Sequence, residues 1–140
     1  MPVADMDSRP VIRIVAAVIT NVDGRALLVR KRGTTAFMQP GGKIMPGEPP
    51  IEALQREIAE ELGVVVETSA LRPLGRHVAE AANEPGHLVE ADLFMVSLEA
   101  TPHAAAEIEE IAWVDLAAPG DIELAPLTRG TVATVLRRQP

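Results

Sequence analysis

The sequence has no cysteine and no tyrosine, one tryptophan and two phenylalanines. Without thiols there can be no disulfide and no thiolate metal site. With so few rings, stacking on a nucleobase falls to very few side chains. Phe37 is the first candidate because it precedes Pro40-Gly41-Gly42. Long apolar runs are missing too. The stretch 14–19 is far short of the roughly 20 residues a membrane-crossing helix needs. Asp5, Asp7 and Arg9 stand where a secretory leader would carry net positive charge and then an apolar stretch. Basic excess is also lacking: the formal net charge is −7. A footprint for a nucleic-acid polymer is therefore absent overall. These absences point to a cytoplasmic protein whose partners include neither a membrane nor a nucleic-acid polymer. A small anionic ligand remains compatible, because bound cations and a few local basic side chains can supply the positive field.

What is present fits one compact domain of 140 residues with a real apolar core. Residues 1–9 read as a flexible tail and 10–140 as the domain. Residues 11–20, rich in Val and Ile, predict a strand buried on both faces. Asp23-Gly24 predicts a turn and 25–30 a second strand, the two forming a hairpin. Residues 37–39 read as a short strand stopped by Pro40-Gly41-Gly42. Pro49-Pro50 suits the first turn of a helix over 51–62, with Ile51, Leu54, Ile58 and Leu62 on one side and Gly63 as its cap. Residues 64–66 should be extended. Strands are expected at 74–80 and 88–98, around a turn at 83–86, and at 111–114. Trp113 is expected in the core, with a partner for its indole N–H. A last helix over about 126–138 should bury Leu127, Val132, Val135 and Leu136. The pattern is a mixed α/β domain.

The 51–62 helix breaks its own local rules. Glu57, Glu60 and Glu61 stand at i, i+3 and i+4, so their carboxylates lie near one face. Like charges at that spacing are unfavourable by roughly 0.2–0.5 kcal/mol per pair. Glu60 and Glu61 also occupy the last turn, where the helix dipole disfavours negative charge. Such crowding suits an external cation, and oxygen-only donors of high charge suit Mg²⁺, Mn²⁺ or Ca²⁺ rather than zinc. On helix physics alone, an acidic solvated face balanced by Arg56 explains the cluster equally well.

The surrounding residues tip that balance. Gly42, Glu48, Arg56, Glu57, Ile58, Glu60, Glu61, Gly63 and Val64 fall at the spacing G-x5-E-x7-R-E-U-x-E-E-x-G-U, with U a bulky aliphatic. A chance match to all nine positions is on the order of one in 10⁸ per window. This run resembles the Nudix box. Leu27-Leu28-Val29-Arg30, Pro40-Gly41-Gly42 and Trp113-Val114 are similar to family sequence outside it. The resemblance implies an α/β/α sandwich around a mixed β-sheet, with the box forming a loop–helix–loop. It implies Mg²⁺, with Mn²⁺ as substitute, held by Glu57, Glu60 and Glu61 and the Gly41 carbonyl. Arg56 would orient Glu57, and Glu48 would be a structural partner near Arg56.

Family members commonly add one acidic group after the box. Glu107, six residues before Trp113, is the candidate, as general base or metal ligand; Glu109 and Glu110 are alternatives. Arg30, Lys31, Arg32 and Lys43 are candidates to bind phosphate oxygens, with Arg30, Arg32 and Lys43 put first. Strand alternation puts Arg30 and Arg32 on one face with Lys31 opposite. His77, His87 and His103 have no metal-ligand spacing. The implied activity is metal-dependent hydrolysis of a diphosphate linkage in a nucleoside diphosphate linked to another group, such as a nucleoside triphosphate giving a monophosphate and pyrophosphate. Glu57 or Glu107 would take the proton from water. The alternative is a nucleotide-sensing module of the same fold without efficient hydrolysis. A homodimer is left open.

Overall fold

Every second residue from Val15 to Ile19 turns to the same side, and both sides are apolar. That is why the second half of the first strand, β1 (Val11–Val18), lies inside the molecule, while Val11 and Arg13 at its start are exposed. Val15 and Ala17 face one buried cluster, Ala16 and Val18 another. The structure, a computed structural model, describes residues 8–139. The expected tail therefore lies almost wholly outside the described residues. Of its last two residues, Arg9 reaches Glu80 at 3.3 Å.

β1 is flanked on one side by the antiparallel β3 (Gly41–Lys43) and on the other by the parallel β5 (Leu88–Val96). β4 (Leu71–Glu80) closes the four-stranded sheet, with a register shift between Pro73 and Gly75. A second, two-stranded sheet pairs β2 (Ala26–Lys31) with β6 (Ile108–Val114). The sequence reading of 11–20 and 25–30 as a hairpin is thus corrected. The chain turns at Asp23-Gly24, but only the bridge Thr20↔Ala26 joins the two runs before they enter different sheets. Along their edges the two strands pair with different segments, β1 with β3 and β5 and β2 with β6.

Helix α1 (Pro50–Leu62) is wedged between the two sheets. Ala53, Leu54, Ile58 and Leu62 meet Val15, Ile19, Leu27 and Val29 in one cluster. The opposite face of the larger sheet is covered by a π-helical stretch, Leu127–Val132, running into α2 (Ala133–Arg137). The result is the expected α/β/α sandwich around a mixed sheet. Leu127 and Val132 are buried, whereas Val135 and Leu136 are only half-buried. The short strand falls at Gly41–Lys43 rather than at 37–39, where Phe37 and Met38 make single bridges to Leu124 and Val29. Trp113 is not a core residue: it is 37% exposed. It pairs with Leu27 across the second sheet and stays exposed in a groove with Ile19, Leu98 and Pro102, while Val114 beside it is buried.

Candidate active site

Four segments meet at the carboxylate face of α1. The helix opens on Pro50, whose missing N–H costs nothing there, and closes on Gly63 in the left-handed region at φ +69°. Beyond Gly63 the last carbonyls are not left to solvent. His103 N–H donates to the Leu62 carbonyl at 3.1 Å and Ala105 N–H to that of Glu61 at 3.0 Å. The loop leading to Glu107 is thereby tied to the helix end.

Glu61 is 1% exposed. Its Oε1 accepts the Gly41 N–H at 3.0 Å, and its Oε2 is buried without a partner among the described residues. Burial, opposed by that hydrogen bond, and then the neighbouring Glu57 push its carboxyl up to about 8. Glu57 lies one turn earlier, and burial likewise raises it above the ordinary range, against the pull of Arg56. Its Oε1 accepts from Arg56 Nη1 at 2.8 Å. Glycine is required on both sides of this pair. A Cβ at residue 42 would lie 2.6 Å from the Glu57 carboxylate, and one at residue 41 would collide with the Val15 carbonyl.

Arg56 is the hub. Its Nε and Nη2 fork onto Glu48 at 2.8 and 2.9 Å, and Nη2 also reaches the Lys43 carbonyl at 3.2 Å. Glu48 in turn accepts the Met45 N–H at 3.0 Å. The Arg56 guanidinium, then that N–H, hold the Glu48 carboxyl down at about 2. Arg56 itself is raised, first by its bond to Glu48. Glu60 stands apart: its side chain is 55% exposed and 3.7 Å from Arg56.

The remaining candidates divide into two groups. Glu107 is 60% exposed, 3.5 Å from Lys31 Nζ, and near enough to Glu61 to raise its carboxyl. Lys43 pairs with Glu84 at 3.3 Å on the rim of a cleft beside Gly41 and Gly42. Arg30 and Arg32 point elsewhere, pairing with Glu110 and Glu109 at 3.1 Å each. Phe37 is in the core with Leu28 and Leu124, beneath the Arg30 guanidinium. Besides Arg56, Lys31 acts on the carboxylates: it lines the cleft and pulls on both Glu57 and Glu61. Alternation along β2 carried that signal. Leu27 and Val29 face α1 while Leu28 faces away, so Lys31 follows Val29 toward the helix. Gln39 also lines the cleft, and no pattern in the sequence pointed to it.

Among the described residues no three acidic or histidine side chains converge as a ready-made cation cage. The donor set still fits a hard cation. Among the described residues, Glu61 keeps a fully buried carboxylate oxygen with no hydrogen-bond partner beside the Glu57 carboxylate, a place where a cation would favour the ionised form that burial disfavours. Mg²⁺ retains several waters and takes one or two carboxylates rather than a full protein cage.

An α/β/α sandwich with a glycine-led loop, a carboxylate helix and a capped return loop defines a Nudix-type domain. The family model for the NUDIX domain matches residues 10–135, and the chain belongs to that family. An RNA pyrophosphohydrolase of Halorhodospira halophila is 42% identical over 50 residues, 36% of this chain and 28% of that protein. An 8-oxo-dGTP diphosphatase of Haemophilus influenzae is 39% identical over 64 residues, 43% of this chain and 46% of that protein. The matched stretch spans less than half the length of either curated relative. The crystal structure of a MutT protein from Methanosarcina mazei superposes with a TM-score of 0.70 at 28% identity, covering 94% of each chain.

Proposed function

We propose that this domain hydrolyses a diphosphate linkage in a nucleoside diphosphate linked to another group, with Mg²⁺ as cofactor and a nucleoside triphosphate as the representative substrate. The observation that carries the reading is the buried, unpartnered oxygen of Glu61 beside Glu57, next to a cleft edged by Lys31 and Lys43. Glu57 and Glu61 would hold the cation, with the exposed Glu60 and the Gly41 carbonyl as further donors. Bound there, Mg²⁺ would supply positive charge to the phosphate oxygens and acidify the attacking water.

The chain's own groups do the rest. Gly41 N–H fixes one oxygen of Glu61 and so aims the other. Arg56, clamped by Glu48, fixes Glu57. Lys31 and Lys43 balance phosphate charge, Lys43 by leaving Glu84. Glu57, made more basic by burial, or Glu107 takes the proton as the water oxygen bonds to phosphorus. The bridging P–O bond then breaks toward the departing phosphate, giving a monophosphate and pyrophosphate from a triphosphate.

The test is pyrophosphate release over a nucleotide panel with and without Mg²⁺, on the parent, Glu57→Gln and Glu61→Gln. Loss of a carboxylate should cut kcat by roughly 10²–10⁴ while circular dichroism shows the fold retained. Full turnover in excess chelator would refute the reading. Nucleotide binding without any turnover would point to the sensing module.

A further inference from the structure

The cleft runs on past the carboxylates, from Lys31 and Gly41 to the β4–β5 turn at Ala82 and down to the π-helical stretch at Leu127 and Thr128. Its volume is about 150 Å³. Pockets that enclose a whole drug-sized ligand hold roughly 300–1,000 Å³, so this one suits a single ring system. Ile12, Ile14, Met38 and Val89 make most of its wall apolar.

One polar group in that wall is unaccounted for. Gln39 is 5% exposed, and its Nε2 is buried without a partner among the described residues. Its Oε1 is already engaged, accepting the Thr128 hydroxyl at 2.7 Å. Thr128 is fully buried and lies in the π-helical stretch, a geometry that recurs at functional positions in helices. A threonine hydroxyl can give one proton or accept; here it gives its proton to Oε1, which leaves Nε2 as the end of the carboxamide without a partner among the described residues. The terminal torsion of a glutamine is soft, so a small rotation brings the free N–H to an acceptor in the cleft.

We propose that Gln39 reads the base of the nucleotide, donating from Nε2 to a ring carbonyl, with Thr128 as the positioning residue that holds the carboxamide in that sense. The inference rests on the nucleotide-hydrolase reading of the adjoining carboxylates. Oxo bases, the 6-oxopurines and 4-oxopyrimidines, offer the required acceptor. Adenine and cytosine carry an amino donor at the corresponding ring position and would set donor against donor. A site built to hydrogen-bond one group discriminates far more strongly than an apolar wall does.

The experiment measures kcat/KM with Mg²⁺ for GTP, ITP and UTP against ATP and CTP, and separately the affinities of GMP and AMP by calorimetry, which need no turnover. The parent should favour oxo over amino bases by about tenfold or more. Gln39→Met keeps the side chain's length but removes the amide, and the oxo-to-amino ratio should fall toward one. Thr128→Val frees the carboxamide to reverse and should lower the same ratio, which a merely structural defect would not move; it also serves if Gln39→Met fails to fold. Equal ratios in parent and variants would overturn the proposal, as would a parent preference for ATP and CTP. If no nucleotide is hydrolysed, the catalytic reading fails while the GMP-to-AMP affinity ratio still decides the base contact. If neither monophosphate binds, both fail.

Discussion

At the scale of single residues, the site depends on one planar fork. Arg56 holds Glu48 through two nitrogens and Glu57 through a third. A lysine keeps the charge but can only present a point cation. Arg56→Lys should therefore let Glu57 drift and lower kcat by roughly 10²-fold, the scale for a misplaced catalytic group. Acid stability gives a second readout. The Glu48 carboxyl is held at about 2 against an ordinary 4.5. A depressed carboxylate contributes stability that is present above the ordinary value and is lost as pH falls toward the depressed one. That loss, between pH 4.5 and 2, should be smaller in the lysine variant. Near-normal turnover together with an unchanged acid limb would make Arg56 a mere counter-charge. Glu57, Glu60 and Glu61 could be placed on one face because a helix reports its face through spacings of three and four, whereas the role expected of Arg56 came from the resemblance to the Nudix box. Lys31 was legible only in combination with its strand. Gln39 was not legible at all, because its burial and its bond to Thr128 join positions 89 residues apart.

At the scale of elements, α1 is defined by its ends. Gly63 occupies the left-handed cap, and a Cβ there would lie 2.5 Å from the His103 ring. Gly63→Ala should destabilise by about 1–2 kcal/mol from the backbone strain alone, with a further loss from displacing the 103–105 cap. Urea denaturation of Gly63→Ala, His103→Ala and the double variant separates the two. The double variant should be less damaged than the sum of the singles; strictly additive losses would show that ring and cap do not meet. The cap matters to the chemistry because the same loop carries Glu107. Element by element, α1 could be read locally, from Pro49-Pro50 to Gly63. Strand partnership could not. A Val- and Ile-rich run announces that β1 is buried, but it says nothing of which strands pair along its edges, and the 11–30 hairpin failed on that point. The π-helical stretch also lacks a local signal, since its backbone is set by what Thr128 and Leu127 pack against.

At the scale of the whole molecule, folding drives a carboxylate into the interior with one oxygen unmatched, and a bound cation should return that stability. Mg²⁺ at about a hundred times its dissociation constant should raise the melting temperature by roughly 5–10 °C. The shift should disappear in Glu61→Gln and survive in Glu109→Gln, whose parent residue pairs with Arg32 outside the carboxylate cluster. An equal shift in parent and Glu61→Gln would place the cation elsewhere.

The two sheets, finally, act as the jaws of a caliper. Lys31 rides on one jaw and Gly41 on the other, with α1 as the spacer between them. The strand-to-strand stitches between the jaws are sparse: Thr20 to Ala26, and Val29 to Met38 next to Gly41. The gape is therefore set by side-chain volume along the seam, at Ile19, Leu27, Val29 and Ala53. A single methylene added or removed there works as a shim, resetting the distance between cation and carboxylates with no change to any residue that meets the substrate.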